Sequence, residues 1–302
     1  MKVLITGAGG MLGTDLAKAL SPFSDVTGAG ITPAPHLQIS YDQTDLSDRS
    51  ATKDLISSQK PGLIFHAAAM TNVDACESAR DLAIQGNVDV TRHVVDSANE
   101  AGAFVVFFST DYIFNGEKNG EYLENDPPCP LNVYGDSKVL AEKYVRENAS
   151  DYWIVRLTWL YGFHGKSFPR TILERAPRQK KFEVVNDQVG RPSYTKDVAE
   201  AFAGLFKKNP AGFKPWNREI FHFANQGTVS WADFARTVLK LAGEESEVVP
   251  ISSFQLDRPA RRPHNSVLSL TKAREKLGIE FRPWQEALAD FLKEFRMQEY
   301  SR

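Results

Sequence analysis

Tyr134 and Lys138 stand four residues apart in the stretch PLNVYGDSKVLAEKYVREN, and of the nine tyrosines Tyr134 is the one with a lysine at that spacing. On a helix the two would share a face, one turn apart. A phenol ionises near pH 10. An ammonium held beside it favours the phenolate and draws its pKa towards neutrality, which is what a general acid/base needs. Chance alone supplies about one Y-x-x-x-K pair to a chain of this size, and the alternative is a surface tyrosine beside a solvated lysine. Upstream, the apolar run AFVVFF ends in Ser109-Thr110-Asp111-Tyr112. Polar groups at the carboxyl end of a parallel strand lie where open α/β sheets bind ligands. Thr110 could hydrogen-bond a substrate oxygen while Tyr134 exchanges its proton; equally, the cluster could only cap a turn.

The chain opens MKVLITGAGGMLGTDLAKAL, with glycines spaced G-x-x-G-x-x-G from Gly7 to Gly13. The apolar KVLITG predicts a strand and GTDLAKAL a helix, so the glycines fall at a strand–helix junction. Gly7 would allow the tight turn, the middle glycine the approach of a pyrophosphate, and Gly13 the packing of helix on strand. The free N–H groups of the helix start would meet the anion. A glycine-lined turn in another α/β protein is the alternative. In a dinucleotide site an acid commonly closes the second strand and grips the adenosine ribose. Here Ala29, Gly30 and Ile31 occupy that region, with no arginine to take a 2′-phosphate. The choice between NADPH and NADH is open.

These residues need a scaffold. Apolar runs at KVLITG, LIFHAAA (Leu63 to Ala69), AFVVFFST (Ala103 to Thr110) and YWIVRLTWLYG (Tyr152 to Gly162) alternate with helical patterns. The clearest helical stretches are Asp81 to Gly102 and Tyr134 to Asn148. That alternation predicts an α/β fold with a doubly wound parallel sheet, covered on both faces. After about Gly162 the chain becomes richer in proline and basic residues. We expect a dinucleotide-binding domain over 1–160, rejoined by a segment at about 193–225, and a smaller, irregular C-terminal substrate lobe from 161–192 and 226–302.

Composition excludes several classes. The 302 residues are 42% hydrophobic and 25% charged, enough for a sizeable core. A net charge of −2 offers nothing to a nucleic acid. No apolar run is long enough to span a membrane, and the first residues do not read as a signal peptide. The two cysteines, Cys76 and Cys129, form no C-x-x-C pattern, which suggests a reducing compartment and a cytoplasmic protein. The six histidines, at 36, 66, 93, 164, 222 and 264, lack metal-ligand spacing, so no catalytic metal is expected.

Taken in order, GAGGMLG, HAAAMTNVD, STDYIFNG and PLNVYGDSK resemble the extended short-chain dehydrogenase/reductase superfamily, and within it the dTDP-4-dehydrorhamnose reductases. The likeness continues through RLTWLYG, DQVGRPSYTKDVA and RRPHNSVLSL, essentially the full length. It implies a Rossmann-like fold, an NADPH or NADH cofactor and a nucleotide-sugar substrate, and leaves a homodimer open. By the same resemblance Gly7, Gly10, Met11, Leu12 and Gly13 would form the pyrophosphate loop. Asp42 would lie beside the adenine, and Ala67, Ala68 and Ala69 would line the cofactor cleft. Tyr134 would be the acid/base, Lys138 would lower its pKa and bind the nicotinamide ribose, and Thr110 would complete the triad. Thr110, Asp111 and Trp159 would contact the sugar nucleotide, and Arg262 its diphosphate. Some family members carry a glutamate-lined magnesium site at a dimer contact, and matching acids are not found here. Epimerases and dehydratases of the same scaffold fit less well: dehydratases usually place Glu after Thr-Asp, where this chain has Tyr112. A non-catalytic NAD(P)-binding regulatory subunit is the rival of another kind.

Overall fold

The computed structural model describes residues 1–209, 213 and 217–299. The rest of the expected returning segment (210–212 and 214–216) and the end of the expected lobe (300–302) lie outside the described residues. Seven strands form a central sheet: β1 (Lys2–Thr6), β2 (Asp25–Gly30), β3 (Ser40–Gln43), β4 (Leu63–His66), β5 (Phe104–Thr110), β6 (Tyr152–Leu157) and β11 (Glu219–Phe223). All neighbours are parallel, in the order β3-β2-β1-β4-β5-β6-β11. The order reverses between β1 and β4, the switch point at which Rossmann-like sheets open a ligand crevice. Three two-stranded ribbons stand apart: β7 (Leu160–Tyr161) with β10 (Ser193–Tyr194), β8 (Lys181–Val185) with β13 (Glu247–Ile251), and β9 (Val189–Gly190) with β12 (Val229–Ser230).

The strands are apolar on both faces because both faces are covered. Val3 and Ile5 enter one core and Leu4 the other; Phe104, Val106 and Phe108 are likewise separated from Val105 and Phe107. The first core is closed by the helices Met11–Leu20 and Thr195–Lys208. The second is closed by Arg49–Gln59, Val90–Ala101 and Val133–Asn148. A third core gathers Tyr161, Phe182, Tyr194, Phe234, Trp284 and Phe291 from the later chain. Ala273 and Leu277, on the helix Thr271–Leu277, belong instead to the first core.

Two expected elements are subdivided. The run YWIVRLTWLYG is not one strand: it breaks at Thr158 and Trp159 into β6 and β7. Trp159 takes a left-handed backbone (φ 43°), which turns the chain out of the sheet. Its indole stacks on Trp231 at 3.6 Å between ring centroids. The expected helix from Asp81 to Gly102 begins at Arg80 and contains a π-helical turn, Gln85–Asp89. π-turns inside α-helices cluster at functional sites.

Candidate active site

The glycine loop turns as its spacing predicts. Gly7 adopts φ 68° and lies so near the segment after β4 that a Cβ there would sit 2.7 Å from Ala68 N. Gly13 is buried, and a Cβ on it would collide with the carbonyl oxygen of Gly7. Gly10 differs: it is exposed, and a Cβ would meet only Gly7 O, at 3.2 Å. It is also the N-cap of the helix Met11–Leu20, and no side chain caps that helix start. The N–H groups of the first turn therefore face an open cradle of backbone, with the positive end of the helix dipole behind them. That surface fits a dinucleotide pyrophosphate. Ala67, Ala68 and Ala69 run beside it, partly exposed, with Ala67 N bonded to Thr6 O at 3.1 Å.

Further out, Asp42 pairs in register with Ala29 at the edge of the same crevice and accepts a hydrogen bond from Thr44. The absent acid of β2 has a structural counterpart. A Cβ on Gly30 would lie 2.8 Å from the Tyr41 hydroxyl, which donates to Thr32 O at 2.6 Å.

On the other side of the switch point, β5 carries Thr110 and Asp111 to its carboxyl end. Thr110 caps the short 3-10 turn Asp111–Ile113, accepting from Tyr112 N (3.2 Å) and donating to Asp111 Oδ1 (3.1 Å). Asp111 also accepts from Thr158 at 2.8 Å, and burial pushes its carboxyl up to about 6. The helix Val133–Asn148 presents Tyr134 and Lys138 to this strand end. Its N-cap Asn132 accepts from Gly135 N at 2.8 Å, and Glu77 accepts from Val133 N at 2.7 Å. The glycine matters here: any Cβ on Gly135 would strike Tyr112 O, so a larger residue would hold the helix off the turn.

Lys138 is buried, donates to Phe108 O at 2.7 Å and sits 4.1 Å from the Phe107 ring centroid. Burial draws its pKa down to about 7. Tyr134 shifts upward from its usual 10, chiefly through burial and against a hydrogen bond from Thr110. This is the reverse of the lowering expected from Lys138. The ammonium is drawn to Phe108 O, and burial drives both groups towards their neutral forms. A neutral phenol is the form with a proton to give.

A network not legible from spacing ties this wall together. Asn87, in the π-helical turn, accepts from Met70 N (2.7 Å) and donates to Met70 O (3.2 Å) and Ser137 Oγ (2.8 Å). Ser137 in turn donates to Tyr134 O at 2.7 Å. Thr6, His66 and Thr91 form a second chain, with Thr6 Oγ1 2.7 Å from His66 Nδ1 and His66 Nε2 3.1 Å from Thr91 Oγ1. Burial and the charge of Lys138 push His66 down to about 3, so it is neutral.

The roof comes from the later chain. A cavity of about 970 Å³ lies over Tyr112 and is lined also by Phe168, Trp231, Phe254, Arg258 and Arg262. Tyr112 meets Tyr134 edge-on at 5.9 Å, so a residue lining the cavity touches the candidate acid/base. Trp159 is absent from the lining; Trp231, stacked on it, reaches the cavity. Arg262 does line it, but Asp74 already engages its guanidinium through two bonds of 2.8 Å. That pairing holds the Asp74 carboxyl below its usual range. Among the described residues no group of three His, Cys, Asp or Glu side chains is placed to hold a metal ion.

Comparison with known proteins agrees with this geometry. The family model described as the RmlD substrate binding domain matches residues 1–297. The spore coat polysaccharide biosynthesis protein SpsK of Bacillus subtilis is 35% identical over 293 residues, covering 97% of both chains. A dTDP-4-dehydrorhamnose reductase of Burkholderia thailandensis is 33% identical over 300 residues, covering 95% of this chain and 97% of its own. Among solved structures, the Bacillus anthracis dTDP-4-dehydrorhamnose reductase in complex with NADP superposes with a TM-score of 0.85 at 31% identity, over 97% of this chain and 99% of that one. With the glycine cradle, the Thr-Tyr-Lys wall and a full-length match of this kind, the chain belongs to the dTDP-4-dehydrorhamnose reductase family.

Proposed function

We propose that the protein reduces the 4-keto group of dTDP-4-dehydro-β-L-rhamnose, or a close nucleotide-linked 4-keto-6-deoxy sugar, to the alcohol, giving dTDP-L-rhamnose. The observation that carries this reading is a half-buried Tyr134 beside Thr110, held towards its protonated form and in edge contact with Tyr112, which lines a cavity large enough for a sugar nucleotide. A reduced nicotinamide, when bound, supplies the hydride. The cradle of Gly7, Gly10, Met11, Leu12 and Gly13 would hold its pyrophosphate, Ala67 to Ala69 would flank it and Asp42 would meet its adenine end. Tyr134 gives its proton to the oxygen of C4 as negative charge builds there. Thr110 orients that oxygen, and Lys138 places a positive charge beside the phenol as it loses its proton and binds the nicotinamide ribose. Asp111, Trp159 with Trp231, and Arg262 would grip the sugar nucleotide. The third core would be the substrate lobe, so that remote binding energy orients the reacting carbon.

Neither an acid nor an arginine stands at the end of β2, so discrimination between NADPH and NADH should stay below about 100-fold, or about 2.7 kcal/mol. Comparing kcat/KM for the two cofactors checks this, and a larger ratio would reveal a selecting residue elsewhere. We place the protein in the cytoplasm, where the free Cys76 and Cys129 would stay reduced.

The test supplies freshly generated keto-sugar and follows the loss of reduced-cofactor absorbance. Oxidation that needs the sugar supports the reductase. If cofactor binds yet none is consumed with the dTDP or the UDP sugar, the protein is a non-catalytic member of the fold.

A further inference from the structure

We infer that Glu142, clamped by Arg156, is a positioning residue that keeps Lys138 charged. The inference rests on the assignment of Lys138 to the active site. Tyr134, Lys138 and Glu142 follow one another at intervals of four residues on the helix Val133–Asn148, so they form a single line along one face. Lys138 is 3% exposed and Glu142 is 4% exposed, so the line faces the sheet and not solvent. Arg156, on β6 and 2% exposed, donates to the carboxylate from Nε at 3.0 Å and Nη2 at 2.8 Å. Its remaining nitrogen donates to Glu124 O at 3.0 Å and lies 3.4 Å from His222 Nε2.

A buried ion pair is a poor way to gain stability. Removing two charges from water costs about as much as their attraction returns, and apolar residues of similar volume often do as well. Its placement one turn beyond a buried lysine suggests a different use. The groups set around Lys138 are His66 on β4, the Phe107 ring and Phe108 carbonyl on β5, and Glu142 on its own helix with Arg156 of β6 behind it, while Tyr134 precedes it by one turn. His66 is neutral, the phenol is protonated, and Glu142 brings the negative charge. Burial alone drives Lys138 towards the neutral amine, and Glu142 opposes it. Arg156 fixes where that carboxylate sits, so that its field reaches the ammonium from a constant distance. With Lys138 titrating near 7, a fall of about one unit would leave only about a tenth of the molecules charged at neutral pH.

The experiment reads Lys138 directly. Protein labelled with carbon-13 at the lysine ε position is titrated by NMR, and the Lys138 resonance is assigned by its absence in Lys138→Arg. The midpoint should fall by about one pH unit in Glu142→Gln, since the carboxylate one turn along the same buried face favours the ammonium. It should fall by less in the double variant Glu142→Met with Arg156→Met, because the opposing charge of Arg156 leaves with the carboxylate, and recover in Glu142→Asp. The double variant leaves no buried charge unpaired, so it gives the measurement even where the single variant folds poorly. An unmoved midpoint in the folded double variant overturns the inference and leaves the pair a structural clamp. The reductase reading fails separately, if Lys138→Ala turns over keto-sugar as well as the wild type does.

Discussion

The floor and the roof of the active site are built by different means. The floor consists of strand ends and helix starts: Gly7 to Gly13 after β1, Ala67 to Ala69 after β4, Thr110 at the end of β5, and Tyr134 and Lys138 on the first turns of one helix. Backbone hydrogen bonds of sheet and helix hold each of these groups. The roof is a run without long elements, from about Ser252 to His264, held by side chains. Asp187 accepts from Ser253 N and Oγ, and Asp74 takes Arg262 across 188 residues of chain. On the proposed assignment, chemistry that tolerates little displacement would sit on the rigid part, and recognition on the tied part.

The largest effect should come from the floor. Tyr134→Phe keeps the ring and its edge contact with Tyr112 and removes only the proton. We expect kcat to fall by about 10²–10⁴ with KM for the sugar nearly unchanged. Steady-state kinetics on the keto-sugar decide this. A loss below about tenfold would mean the proton comes from elsewhere.

Next are the glycines, which separate binding from folding within one loop. Gly10→Val should weaken NADPH by about 100-fold or more, since a β-branched side chain would fill the exposed cradle. Its far-UV CD should not change. Gly13→Ala should do the opposite, costing about 1–3 kcal/mol of stability, because its Cβ would press into Gly7 O and lie 2.7 Å from Ala8 Cα. Fluorescence titration beside thermal melts separates the two. If both variants only lose stability, the loop is a folding turn and not a cradle.

How much could be read beforehand follows the same division. β1, β4 and β5 are apolar runs bounded by breakers, and the helix Val133–Asn148 begins at an Asn-Val-Tyr-Gly sequence with its own cap, so pattern alone locates them. The edge strand β3 (SYDQ) has no apolar run, because it is half-exposed and its pairing with β2 does not require one. The π-helical turn escapes as well: Gln-Gly-Asn-Val-Asp fits an ordinary helix, and the bonds of Asn87 to Met70 and Ser137 that accompany the turn join separate segments. Trp159 can be picked out by resemblance, but its left-handed turn and its place against Trp231 depend on contacts between distant segments. The tie between Arg262 and Asp74 is invisible for the same reason.

That tie gives a mid-sized prediction for the roof. Asp74→Ala releases a guanidinium that is otherwise held in two charge-assisted bonds and touches the Tyr112 phenol. Loss of such a pairing is worth about 1.5–3 kcal/mol at most. We expect KM for the sugar nucleotide to rise by about tenfold with kcat changed by less than about threefold, since the roof positions substrate without touching the reacting proton. Arg262→Ala distinguishes direct from indirect action. A larger KM effect than Asp74→Ala means the arginine itself grips the ligand, and an equal one means the pair only straps the roof down.

The smallest effect should fall on Phe254, an apolar side chain of the roof that is 98% exposed. An aromatic ring in water at the rim of a cavity contributes little to the fold, so its removal should leave the melting temperature unchanged. Yet its position is fixed from both sides. Ser253 donates from N to Asp187 Oδ2 at 2.8 Å and from Oγ to Asp187 Oδ1 at 2.7 Å, while Gln188 donates to Ser253 Oγ at 2.8 Å. Ser252 N is bonded to Gln255 Oε1 at 2.9 Å, closing a capping box around the short 3-10 turn Ser253–Gln255. With the backbone that carries the ring already held, little main-chain freedom is lost on closing over a ligand, and stacking on a base or a sugar face is worth about 0.5–1.5 kcal/mol. Phe254→Ala should therefore raise KM for the sugar nucleotide by about two- to tenfold, with kcat and cofactor affinity untouched. Phe254→Trp should hold KM at the wild-type value or lower it. An unchanged KM in the alanine variant would show that the rim takes no part in recognition, and a lowered melting temperature would show that the ring serves the fold instead.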